Sequence, residues 1–298
     1  MFQSHLGEIA ALATALCWTI TVVAFEVAGK KVGSISVNLI RLVIAFLLIS
    51  IYNFFSRGMI LPIDASSSTW LWLTFSGIIG FVIGDLFLFQ AFVEVGSRIS
   101  MLIMSIVPPI TAITGFILMN EKITSLGLAG MIITILGIAL VILTKNPDDK
   151  KVRLSHPIKG LVYAFIGALG QAFGLVFSKF GMGSYDPFAA TQIRIIAAII
   201  GFSIVITILK KWGELFVAFK NRRAMKFISI GSFFGPFIGV SLSLLAVQHA
   251  STGIVSTITS ITPILLIPVS IIMFKEKVFS REIFGAIVTL VGVTLLFI

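Results

Sequence analysis

Charged positions along this chain fall in short breaks between long apolar runs, and nowhere does polarity alternate from one residue to the next. The runs cover approximately 7–29, 35–56, 69–93, 97–119, 124–144, 158–180, 187–210, 226–249, 252–274 and 281–298. Each is close to the ~20 residues that an α-helix needs to cross ~30 Å of hydrocarbon. Membrane strands are shorter and alternate apolar with polar positions, so the runs read as helices. The expected fold class is an all-α integral membrane protein with ten transmembrane helices.

Composition agrees with the pattern. Hydrophobic residues make up 58% of the 298 positions, charged residues only 11%, and the mean hydropathy is +1.12. A soluble domain must keep a polar outside, whereas a bilayer removes that demand. The net charge of +10 sits in the short gaps and not on a continuous face, which argues against a nucleic-acid partner and for basic loops flanking membrane spans. Of the loop Lys and Arg, only Arg57, Lys122 and Lys179 fall in even-numbered loops. The charges alone therefore place the odd-numbered loops in the cytoplasm. The single cysteine, Cys17, permits no intrachain disulfide, and His5, His156 and His249 lie too far apart for a metal site. No phosphate-binding glycine loop is present, so no cofactor is expected and transport by this chain would run on gradients. The lipid bilayer of the cell membrane and a small-molecule substrate are the expected partners, and the first span reads as retained rather than cleaved.

An internal repeat orders the ten runs. At an offset of 155, Gly84 matches Gly239, Ser105-Ile106 matches Ser260-Ile261, Pro108 matches Pro263, and Glu121-Lys122 matches Glu276-Lys277. Gly130 and Gly137 match Gly285 and Gly292 in the same register. Upstream the offset is 153 and pairs Gly7 with Gly160 and Ile40-Arg41 with Ile193-Arg194. The chain divides into a five-helix repeat over 1–147, a basic linker loop over 148–157 and a second five-helix repeat over 158–298. Five is odd, so the second repeat enters the membrane inverted. Inverted repeats place a binding site near the midplane and let the halves exchange access.

The paired Glu-Lys, Gly130 and Gly137 with their duplicates, and Arg41 and Arg194 resemble the drug/metabolite transporter superfamily, specifically its EamA family of ten-helix exporters, over essentially the whole chain. That resemblance implies export of amino acids, sugars or other metabolites, commonly with proton coupling. It also implies termini on the cytoplasmic side, the reverse of what the charges indicate.

Ionisable side chains inside apolar spans are costly and need a partner or a wet cavity. Asp85 is the deepest, and depth along the spans permits a Glu26–Arg41–Asp85 cluster able to exchange a proton; the alternative is a static salt bridge. Asp85 maps onto Val240 and has no twin, as a substrate or coupling site would require. Arg41 and Arg194 are duplicated, as structural or gating pairs would be. Trp18 and Gln171 occupy equivalent mid-span positions that suit a small polar metabolite with an apolar part, or plain packing. Gln90, Gln192 and Gln248 are weaker candidates. Pro108 and Pro263 interrupt equivalent spans and mark candidate gates. The ninth span is rich in hydroxyls: Thr252, Ser256, Thr257, Thr259, Ser260 and Thr262. Gly77, Gly80 and Gly84, like Gly231, Gly235 and Gly239, are expected to pack helices closely. Glu121 and Glu276 are expected to cap the helices that follow them. An intramembrane enzyme would need a convergent nucleophile, acid pair or metal cluster, which these spans lack.

Overall fold

The computed structural model describes residues 5–119, 123–145, 152–154, 156–250, 255, 258–276 and 278–295. Glu121, Lys122, Lys277, Thr252, Ser256, Thr257 and residues 148–151 and 155 of the expected linker lie outside the described residues.

Helix α1 (Leu6–Val32) passes to α2 (Ser34–Arg57) through Gly33 alone, whose φ of 81° a side chain would strain. The next rod is composite: α3 (Ser67–Ser76), a π-helical stretch (Gly77–Gly84) and α4 (Asp85–Met104). It breaks at Gly96, where φ is 81° and ψ 161°. A turn at Ser105-Ile106 leads to α5 (Val107–Met119), and α6 (Ser125–Ile142) follows. The second half holds α7 (Ile158–Met182), α8 (Pro187–Ile208), the short α9 (Trp212–Lys220) and a second composite rod. That rod is α10 (Arg222–Ser232), a π-helical stretch (Phe233–Gly239) and α11 (Val240–His249). The last helices are α12 (Thr262–Phe274) and α13 (Ser280–Leu295).

Local chemistry fixes several starts. Ser66, Thr124, Asp186 and Asn221 each accept a backbone N–H three residues on, and Pro187 follows its cap where its missing N–H costs nothing. Large apolar side chains point outward, Phe55 at 81% and Ile272 at 77% exposure, which suits lipid. The interior is where the buried polar groups collect.

Among the described residues, seven helices are long and apolar enough to cross a membrane. The all-helical class holds, with one short antiparallel hairpin, β1 (Leu143–Lys145) and β2 (Val152–Leu154), in and beside the expected linker. Two expectations change. The fourth apolar run is two helices meeting at Ser105-Ile106 rather than one kinked helix. Between the seventh and eighth runs, α9 appears, and the eighth helix starts at Arg222 instead of 226. Loop charges masked α9, whose Phe216 and Val217 are exposed while Leu215 and Ala218 pack inward.

Glycine makes the close contacts. A Cβ on Gly170 would sit 2.5 Å from the Gly84 Cα, and one on Gly174 would sit 2.8 Å from the Gly80 Cα, so α7 lies backbone to backbone on the first π stretch. The second π stretch packs on α1, where Gly235 faces Thr21 and Gly239 faces Cys17 and Trp18. Helices α6 and α13 form a separate seam in which Gly137 meets Thr289 and Gly292 meets Thr134.

Candidate functional site

Arg41 and Asp85 form a buried ion pair between α2 and the first residue of α4. Asn38, one turn before Arg41, accepts from the arginine Nε at 3.0 Å and donates to the Asp85 carbonyl at 3.2 Å. From the second half of the chain, the Gln171 Nε2 on α7 donates to Asp85 Oδ1 at 2.5 Å and to the Gly80 carbonyl at 3.2 Å. Gly80 lies in the π stretch, and its carbonyl accepts both the Asp85 backbone N–H and the Gln171 amide. The Arg41 guanidinium stands 4.5 Å over the Phe89 ring, with Phe25 and Phe81 each at 5.7 Å. Rings of this kind hold a desolvated cation without neutralising it.

Arg194 on α8 is differently placed. Its guanidinium lies 4.4 Å over Phe81, its charge acts on Asp85 through space, and its Nε has no hydrogen-bond partner. Phe81 thus stands between the two arginines.

Two adjoining cavities of about 110 and 100 Å³ open among these groups. Trp18, Phe81, Met101, Met104, Gln171 and Val240 line both. The first lobe adds Arg194, Ser105, Pro108, Thr259, Ser260 and Pro263; the second adds Arg41, Asp85, Phe25 and Phe89. Trp18 and Gln171 therefore sit where the lobes meet, and the two prolines face one lobe from the first turns of α5 and α12. The charged groups lining the two lobes among the described residues are two arginines and one carboxylate.

The structure separates Glu26 from this constellation. Its carboxylate accepts from the Ser97 N–H at 2.7 Å and from Lys30 at 2.5 Å, and it lines neither lobe. Depth along the spans, which permitted the cluster, concealed that Gly96 breaks the helix and leaves a new helix start at Ser97 for Glu26 to cap. Glu276 likewise departs from expectation: it pairs with Arg98 at 3.0 Å, beside Glu282 on the same arginine at 2.9 Å. Gln192 bonds Asn53, Ser50 and the Ile60 carbonyl, Gln248 bonds the Gly183 and Tyr185 carbonyls, and Gln90 bonds Ser34 and Glu94. None of the three reaches the cavities.

Outside the spans, Arg57 pairs with Asp64 at 2.5 Å, and the Tyr185 hydroxyl donates to Asp64 at 2.8 Å. Burial and then the Asp64 carboxylate push the Tyr185 phenol up to about 12. Sequence reasoning missed Asn38, Phe81, Met101 and Met104. For Asn38 a signal existed: an amide three residues before a buried arginine shares its helix face.

A model of the EamA-like transporter family matches residues 5–143 and again 158–298. The chain belongs to that family. EamA-like proteins are membrane transporters of small molecules, and this one is a multi-pass membrane protein. No curated protein matches the chain. A solved structure titled "Crystal structure of protein" shares 12% identity and superposes with a TM-score of 0.62, covering 97% of this chain and 95% of that one. At that identity the likeness shows the fold alone.

Proposed function

We propose that this EamA-like protein is a gradient-driven, proton-coupled secondary transporter that exports amino acids or related small metabolites by alternating access. Ten spans in two inverted five-helix repeats, 1–147 and 158–298 around a linker over 148–157, form the moving halves. The observation that carries the reading is the buried Arg41–Asp85 pair, held by Gln171 from the opposite half and facing a cavity. A carboxylate so placed takes a proton when a wet path reaches it and then releases its hold on Arg41 and Gln171. Loss of that cross-link frees the halves to move; loss of the proton on the other side restores it. Trp18 and Gln171 hold the substrate between the lobes, and the helix breaks before Pro108 and Pro263 supply the gates.

A multidrug substrate is the second reading, favoured by Met101 and Met104, whose flexible thioethers adapt to varied apolar bodies. The test compares metabolites in the medium of cells overproducing the intact protein, its Asp85→Asn variant or neither. One metabolite class accumulating outside only with the intact protein supports export coupled through Asp85. Equal profiles in all three, with the protein present in the membrane, overturn the reading.

A further inference from the structure

Among the described residues, every lining charge except one has a hydrogen-bonded partner. Asp85 engages Arg41 and Gln171, and Arg41 also reaches Asn38. Arg194 is 4% exposed, has an unpartnered Nε, forms no ion pair among the described residues, and lines the larger lobe. With two arginines against one carboxylate, the joined cavity keeps one positive charge unmatched. Burying such a charge is costly unless something neutralises it. The same lobe is lined by Val107, Pro108 and Pro263, from the first turns of α5 and α12. These helix starts offer an anion few donors of their own, because Pro108, Pro109 and Pro263 carry no N–H and the Ile264 N–H is spent on the Ile261 carbonyl, so Arg194 is the donor that counts. The remaining wall is apolar and aromatic, with Trp18, Phe81 and Met104.

We infer that Arg194 is the anchor for a substrate carboxylate, and that the transported class is an apolar-bodied carboxylate: an amino acid or an organic acid. This rests on the transporter reading above and names what that site takes. The guanidinium fork receives the carboxylate oxygens, Phe81 supports the guanidinium over its ring, and the apolar body lies against Trp18 and Met104. A cationic or sugar-like substrate brings no negative charge to Arg194 and would leave its charge buried and unmatched.

The test reads binding without transport, as the rise in Tm of the detergent-purified full chain. Four probes share one ring and differ in the head group: 3-phenylpropionate, L-phenylalanine, 3-phenylpropionamide and 2-phenylethylamine. The expected result is a rise with the carboxylates and none with the amide or the amine. A rise with L-phenylalanine alone assigns amino acids within the class; a rise with 3-phenylpropionate as well admits organic acids. Arg194→Gln should weaken carboxylate binding by roughly ten-fold or more, the loss of a charge-assisted hydrogen bond. Should that variant fail to fold, phenylglyoxal modification of Arg194 in the native chain gives the same information, since a bound carboxylate slows it. An equal rise with the amide or amine, undiminished binding in a folded Arg194→Gln, or no rise with either carboxylate overturns the assignment. In each of those cases export that depends on Asp85 still stands on its own measurement.

Discussion

The two arginine lobes occupy equivalent places in the two halves of the chain, yet their surroundings differ position by position. Around Arg41 stand an acid, Asp85, an amide from the facing helix, Gln171, and Asn38 one turn away. The equivalents around Arg194 are Val240, Trp18 and Thr191, and Thr191 spends its hydroxyl on the Pro187 carbonyl of its own helix. One cation is satisfied by the protein and the other is left for something else. Duplication built the frame twice, and divergence at three positions leaves one arginine paired to an acid and the other, on the reading proposed above, a receptor.

The largest effect should come from breaking the satisfied lobe. Asp85→Asn leaves two buried guanidinium groups without a counter-charge and is expected to cost about 3–5 kcal/mol. Adding Arg41→Gln should recover part of it, as thermal unfolding of the single and double variants would reveal; equal losses in both would mean that the pair is not coupled. Next, the two π stretches rest on unequal seats. Gly170→Ala forces a methyl group into the Gly84 backbone and should cost about 1–3 kcal/mol, whereas Cys17→Ala at the equivalent seat should cost less, because a Cβ already fits there. Val240→Asp would give the receptor lobe the acid it lacks. Carboxylate binding measured by thermal shift should fall roughly ten-fold, about 1.4 kcal/mol. Unchanged affinity would show that Val240 does not face the anion.

The smallest effect lies outside the lobes, at the far end of α2. Tyr185 titrates near 12, above the ordinary ~10 of tyrosine. Its folded value is raised, so its contribution to stability is complete below pH ~10 and fades as pH rises through 12. Tyr185→Phe should remove that component from the phenolate absorbance titration, and should leave carboxylate binding unaltered.

Much of the architecture was legible from hydrophobic patterning, because lipid and interior both demand apolar runs of fixed length. The pairing of Arg41 with Asp85 was legible from depth, and the missing twin at Val240 from the repeat. Glu26 was misplaced because depth gives height along a span and not direction around it, and the break at Gly96 changed what Glu26 faces. The unpartnered state of Arg194 was hidden for the same reason: a duplicated arginine looks equally paired until the facing helices are in place. The breaks at Ser105 and Ser260 were foreshadowed by the prolines three residues later, which sit comfortably in a first helical turn. A restarted helix and a bent one share the same apolar pattern and differ only in the turn at Ser105-Ile106.

The π stretches that end at Gly84 and Gly239 carry a consequence for the angular phase of each rod. An α-helix turns about 100° per residue, so every surplus residue accommodated in a widened turn rotates all that follows by that amount. Asp85 is the first residue beyond the first widened stretch, and the whole of α4 inherits its bearing. Tightening that stretch by one residue would swing the carboxylate from Arg41 toward a different neighbour while leaving the rod's ends nearly in place. The length of the segment from Gly77 to Gly84, more than the identity of its side chains, thus sets the compass heading of the acid.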